Sequence, residues 1–241
     1  MALRSDAAMV LFYDIEGDTD DHDDWHSYEH FHERLSVPGF LRATRWIATD
    51  AAPRYMVIYE VSSTDIGMSQ PYLERLNDPT EWTGAMMPRF RGMTRGFCNI
   101  TTSVGFGLGR AAMALRFQPV AGSEADLTNW LSNDVLLAMA DLRGIAGAHL
   151  LQPVAPPPMT REQALRGADK PMPWLIIATC YDVSALDAAV AAHLSTEALR
   201  ANGAEDLIFA RYALHYTADT DEVARTAKPP SLSPEGRRRL P

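Results

Sequence analysis

Short apolar runs rich in strand formers recur along the chain, separated by stretches with helical spacing. Residues 8–15 (AMVLFYDI), 40–49 (FLRATRWIAT), 55–62 (YMVIYEVS) and 96–104 (GFCNITTSV) read as strands. A helical stretch covers 23–35 and stops before Pro38-Gly39, because a proline disfavours helix in the residue ahead of it. A second helical region starts at Ser63-Thr64-Asp65 and runs toward Arg91 with an interruption near Asp78-Pro79. The predicted order is β-α-β-β-α-β.

The second half predicts the same order. Strands fall at 111–120, 145–154, 174–183 and 207–217, with helices from Ser123 to Leu142 and over 184–202. Gly144 and Gly203 supply the helix stops. Aligning Trp25 with Trp130 brings Ser27 onto Ser132 and Gly39 onto Gly144, an offset of 105; aligning Tyr59 with Tyr181 gives an offset of 122. The difference of 17 residues falls in the Pro-rich loop 154–173. The expected fold is α+β: two tandem ferredoxin-like βαββαβ units whose antiparallel sheets pack into an α/β barrel. The first unit spans 1–106, the second 107–218, and 219–241 is a Pro-rich tail expected to dock loosely or stay disordered. The glycine-rich stretch 103–110 fits a linker between the units, since a phosphate cradle would open a helix.

Composition narrows the function classes. A net charge of −9 argues against a nucleic-acid partner, which needs a basic face. No run approaches the ~18 apolar residues of a membrane span, and MALRSDAAMV lacks the apolar stretch of a signal peptide. Cys98 and Cys180 sit alone in apolar runs and read as buried thiols in a reducing compartment. The expectation is a cytoplasmic protein with a small-molecule substrate and neither nucleic acid nor membrane as partner.

The candidate chemistry concentrates in HDDWHSYEHFHERL, which holds His22, His26, His30 and His32, four of the seven histidines. On a wheel at about 100° per residue, Trp25, Tyr28, Phe31 and Leu35 form one apolar face, with His32 inside it and Glu29 on its border. His22, His26, His30 and Glu33 fan along one flank, and Arg34 and Ser27 lie opposite the core. The second half has Leu131, Val135 and Leu137 where the first has His26, His30 and His32, so the fold does not require imidazoles there. Histidine titrates near neutrality and suits proton transfer, with Glu29 or Glu33 to orient it. The i, i+4, i+8 spacing of His22, His26 and His30 also allows a metal, although HExxH is absent. Solvated or packed histidines are the plain alternative.

WHSYEHFHERLSVPGFLRATRW resembles the first helix and second strand of EthD-like proteins, within the dimeric α/β-barrel (ferredoxin-like) superfamily. The likeness rests on an aromatic residue (Trp25), a histidine (His30) and Pro38-Gly39 eight residues beyond it. It implies a small-molecule role and His30 ahead of His32 as the acting histidine; the second half departs from the pattern by lacking the histidine, so one site per chain is expected. Members of that superfamily include cofactor-poor isomerases, cyclases, dehydratases and monooxygenases, and some bind haem. Many dimerise to complete a barrel, which leaves a homodimer open beside an intramolecular barrel.

The functional expectation is a cofactor-independent lyase or isomerase acting on a small, partly apolar carbonyl, lactone or aromatic compound, with no metal and no cofactor. His30 or His32 would move the proton, with His26 nearby and Glu29 assisting. Arg45 would bind a substrate anion, and Trp25, Tyr28, Tyr13 and Tyr59 would line the pocket. Trp82 and the segment from Met86 to Phe90 read as a cavity wall or as plain core. A non-catalytic binding barrel and a haem- or metal-dependent oxygenase are the alternatives.

Overall fold

The structure is a computed structural model and describes residues 3–226. Its strands are β1 (Ala7–Ile15), β2 (Phe40–Ala48), β3 (Tyr55–Val61), β4 (Phe90–Gly105), β5 (Ala111–Pro119), β6 (Ile145–Pro153), β7 (Trp174–Cys180) and β8 (Ala204–Asp219). They close an antiparallel barrel in the order β1-β3-β2-β8-β5-β7-β6-β4. The expected α+β barrel is therefore the observed architecture. Each half keeps its own four strands together, and the halves join through the 16-residue strands β4 and β8, which pair with β6 and β2. Full closure removes the sheet edges.

Alternation along each strand feeds two different cores. On β1, Ala8, Val10 and Phe12 point into the barrel with Trp46, Met56 and Leu175, while Ala7, Met9 and Tyr13 face the first-half helices. The corresponding outer layer of the second half holds Met113, Leu115 and Phe117 under Leu127, Leu131 and Leu136. Both faces are thus covered, which explains why all seven residues of β3 are buried, Glu60 among them with Arg42 as its partner.

The helices are α1 (Thr19–Trp25), α2 (Phe31–Leu35), α3 (Gln70–Asn77), α4 (Glu81–Met86), α5 (Glu124–Trp130), α6 (Leu136–Ala140), α7 (Arg161–Arg166), α8 (Val183–His193), α9 (Thr196–Ala201) and α10 (Thr220–Arg225). A π-helical turn, His26–His30, links α1 to α2, and another, Leu131–Val135, links α5 to α6. The two turns fall at the 105-residue offset read from the sequence. Gly39 and Gly144 follow at the same offset with φ of 97° and 100°, the left-handed conformation that starts β2 and β6.

Two expectations change. Strand pairing sets Val61 opposite Ala7 and Cys180 opposite Ala111, so β3 and β7 correspond at an offset of 119 rather than 122. Tyr59 therefore corresponds to Ala178, not Tyr181; a shift of three exchanges the faces of a strand. The tail also begins later than expected: β8 extends to Asp219, and α10 follows behind an Asp219–Glu222 capping box. The rest of the Pro-rich tail lies outside the described residues. Among the described residues no helix is long and apolar enough to cross a membrane.

Candidate active site

The π turn decides which side chains of the histidine helix reach the sheet. Its i→i+5 bond, from Phe31 N–H to the His26 carbonyl, inserts about one extra residue into the turn. Residues spaced by four then stay on one line: His22, His26, His30 and Arg34 are all buried. A uniform 100° wheel puts Arg34 opposite the core and His32 within it. Instead Arg34 is 2 % exposed, His32 is half-buried at the rim and Tyr28 is 48 % exposed. The exposed Leu137 loses its value as a counterpart for a core-facing His32.

Under this line lies a cavity of about 30 Å³ between helix and sheet, lined among others by Trp25, His26, His30, Arg34, Tyr13 and Tyr59. That volume holds one or two waters. The Tyr13 hydroxyl is 3.1 Å from His22 Nε2, and His22 Nδ1 is 3.0 Å from Asp23 Oδ1. Burial lowers the His22 pKa to about 4, against the opposing pull of Asp23. The neutral ring thus donates from Nδ1 to Asp23 and accepts the Tyr13 O–H at Nε2. His26 Nε2 is 3.0 Å from the Tyr59 hydroxyl, while its Nδ1 has no partner. His30 also has an unpartnered buried Nδ1, with Glu33 Oε2 4.0 Å away. Burial first, and then neighbouring arginines, hold His26 and His30 well below the usual imidazole range. Burial likewise raises the Tyr13 and Tyr59 phenols, which stay protonated. The site is a set of neutral bases and hydroxyl donors in an arginine field.

One end of the cavity is ionic. Arg34 Nη2 donates to Glu162 Oε2 at 2.6 Å; Arg166 is 3.9 Å from Glu162 and donates to Asp169 at 2.9 Å; Arg95 is 3.5 Å from Asp169 and donates to the Tyr72 hydroxyl at 2.7 Å. Glu162, Arg166 and Asp169 come from the Pro-rich segment between β6 and β7, which crosses over the first half. Its far end is tied to β4 by backbone bonds between Lys170 and Met93 and Arg95. Gly96 permits that approach, because a Cβ there would lie 2.5 Å from the Met172 Cβ.

The second half makes the contrast. Correspondence through the strand registers and the π turns matches Tyr13, Tyr59 and Arg95 with Phe117, Ala178 and Phe209. His22, His26, His30 and Arg34 match Leu127, Leu131, Val135 and Met139, all buried. Each of these polar positions of the first half is apolar in the second.

The structure brings together His26, His30, Trp25, Tyr13 and Tyr59 around the cavity, with Met87 and Phe90 as part of its wall. It sets four other candidates apart. Tyr28 is exposed and His32 is half-buried, and neither lines the cavity. Glu29 accepts from the Thr80 and Thr83 hydroxyls, and Thr83 accepts the Trp25 indole N–H, so Glu29 fixes α4 and the indole rather than a histidine. Arg45 is buried outside the cavity, donating to the Asp23 carbonyl, Ser27 Oγ and His215 Nδ1. Sequence reasoning missed Arg34, Arg95 and the Glu162–Asp169 segment. The four-residue spacing from His22 to Arg34 was the available signal for the first. Among the described residues no three His, Cys, Asp or Glu side chains converge as metal ligands.

No family model matches the chain, and no curated protein matches it. Solved structures do. An anthrone oxidase-like protein superposes with a TM-score of 0.63 at 9% identity, covering 92% of this chain and 96% of its own. A protein from Lactobacillus acidophilus provisionally named a monooxygenase gives 0.58 at 10% identity over 89% and 96%. A mutant chlorite dismutase from Candidatus Nitrospira defluvii gives 0.55 at 10% identity over 90% and 92%. At such identities the likeness establishes a shared ferredoxin-like barrel fold. A haem would need more room than the cavity of about 30 Å³ gives. Of the histidines there, His22 has both ring nitrogens engaged and His26 Nε2 faces Tyr59, so His30 is the one whose ring could ligate an iron.

Proposed function

We propose that the first-half cavity is the active site of an enzyme that abstracts a proton from a small, partly apolar carbonyl or phenolic compound. The observation that supports this reading most is the pair of buried neutral histidines, His26 and His30, at positions where the second half has Leu131 and Val135. Burying two imidazoles with unpartnered nitrogens opposes folding, and the second half manages without them. In this reading His30 is the base, since its ring stands at the cavity without the tyrosine partner that holds His26. Removing a C–H or O–H proton leaves an anion on the substrate. Tyr59 accepts the His26 Nε2–H in this reading and donates its own proton to that oxygen, and the Arg34 guanidinium stabilises its charge. His22 and Asp23 orient Tyr13.

Returning the proton to another carbon of the substrate gives an isomerase, and delivering it to a β-hydroxyl whose C–O bond breaks as water leaves gives a lyase; neither needs a cofactor. The names anthrone oxidase-like and monooxygenase carried by structural neighbours favour a second outcome, capture of the anion by dioxygen. Both outcomes share the first step. We also read residues 1–106 and 107–218 as tandem copies of one EthD-like unit acting in the cytoplasm, the first copy catalytic and the second structural.

Deuterium uptake from D2O into a panel of ketones, lactones and anthrone-type phenols, followed by NMR, isolates that step. Wild-type protein is expected to catalyse exchange in at least one class, and His30→Gln to lose it by about 100-fold or more. His26→Gln is expected to lose less, through misplaced Tyr59. Wild-type exchange that persists in His30→Gln, or no exchange across the panel, would overturn the proposal.

A further inference from the structure

The ionic end of the cavity holds three guanidiniums, Arg34, Arg95 and Arg166, against two carboxylates, Glu162 and Asp169. All five side chains are at least nine-tenths buried. The histidines beside them are neutral, and Glu33, which also lies in the field of Arg34, stands 3.7 Å from the more exposed Arg75 and offsets that guanidinium, so the surplus remains. A buried, unbalanced positive charge is strongly unfavourable unless something completes it. One atom marks where completion is missing: Arg34 Nη1 is buried and has no hydrogen-bond partner, although Nη2 of the same fork is bonded to Glu162. The unpartnered Nδ1 atoms of His26 and His30 belong to residues lining the same cavity.

We propose that this end of the cavity is a carboxylate subsite, so that the substrate is a small organic acid with an apolar body. The carboxylate takes the open Nη1 of Arg34 and the surplus charge shared by Arg95 and Arg166. The apolar body lies toward Trp25 and Phe90, beneath His30. The strap from the second half builds the subsite: it brings Arg166 to the cavity and lends Glu162 to one arm of the Arg34 fork, leaving the other arm for the ligand. The volume of the cavity requires side chains to move on binding. Met9, Met87 and Met93 line it and are the adaptable residues.

The subsite rests on the reading of this cavity as the working site, but its test is binding and not turnover. Isothermal titration of the full chain compares benzoate and acetate with benzamide and acetamide. At least one carboxylate is expected to bind tighter than its amide by about tenfold or more, the worth of one charged hydrogen bond. Arg34→Gln is expected to erase that preference. Arg34→Lys, which keeps the charge but loses the fork, is expected to weaken it. Glu162→Gln is expected to strengthen carboxylate binding, because it raises the surplus. Arg211→Gln, on the surface far from the cavity, serves as control and is expected to bind as wild type. His30→Gln is expected to keep the preference while losing proton exchange, so failure of the catalytic reading and failure of the subsite give different results. Equal binding of both carboxylates and their amides, or a preference that persists in both Arg34 variants, would overturn the subsite.

Discussion

The buried histidines tie stability to pH in a definite direction. His22 and His149 have folded-state pKa values of about 4, lowered by burial from 6.5. His26 and His30 are shifted the same way. Between these limits the unfolded chain binds more protons than the folded one, so stability rises with pH across that range and is lost as pH falls from about 6.5 toward 4. Each group contributes a slope of up to about 1.4 kcal/mol per pH unit. Urea unfolding at pH 7 and pH 5 is expected to show a marked drop in wild-type midpoint. His22→Leu, the residue carried by the second half, is expected to remove part of it, so that its stability relative to wild type improves by about 2 kcal/mol at the lower pH. Parallel pH profiles for the two proteins would contradict the neutral, buried state assigned to His22.

Elements carry a different kind of constraint. Gly39 has φ of 97°, and a Cβ there would lie 2.3 Å from Ile66 Cδ1; Gly144 has φ of 100°, with a Cβ 2.5 Å from the Ala185 Cβ. Gly39→Ala and Gly144→Ala are each expected to destabilise the fold by about 1–3 kcal/mol, measured by urea unfolding. A neutral result at either position would mean that the helix-to-strand turn tolerates a side chain. These glycines were legible in the sequence because their role is local. The π turns were not. A helix that widens by one residue leaves no distinctive residue type behind, and a uniform wheel then misplaces Arg34 and His32 beyond it while still setting Phe31 and Leu35 in the core. This is why a uniform wheel sets Arg34 opposite the core and His32 within it, while it keeps His26 and His30 on one flank. The Tyr59–Tyr181 match failed for a related reason: chance identity in an apolar strand outweighed a register that only pairing reveals.

For the whole molecule, the order of strands and helices was readable because amphipathic period and turn residues specify it segment by segment. The barrel followed from the need of each four-stranded sheet to cover its second face. The ionic end of the cavity was not readable, because Glu162, Arg166 and Asp169 reach Arg34 and Arg95 from the other half of the chain. Sequence distance hides such a contact, and the Pro-rich segment that carries it reads as a loop. That segment nevertheless completes the cavity of the first half, and the second half offers no polar counterpart at the positions compared. The central claim is therefore one of location: a single working site, between the histidine helix and the first-half sheet. A crystal structure of the full chain soaked with benzoate tests it most directly. The account predicts density for the ligand beneath His30 with its carboxylate on Arg34; density in the corresponding layer of the second half or inside the barrel, with the His30 cavity unchanged, would contradict it.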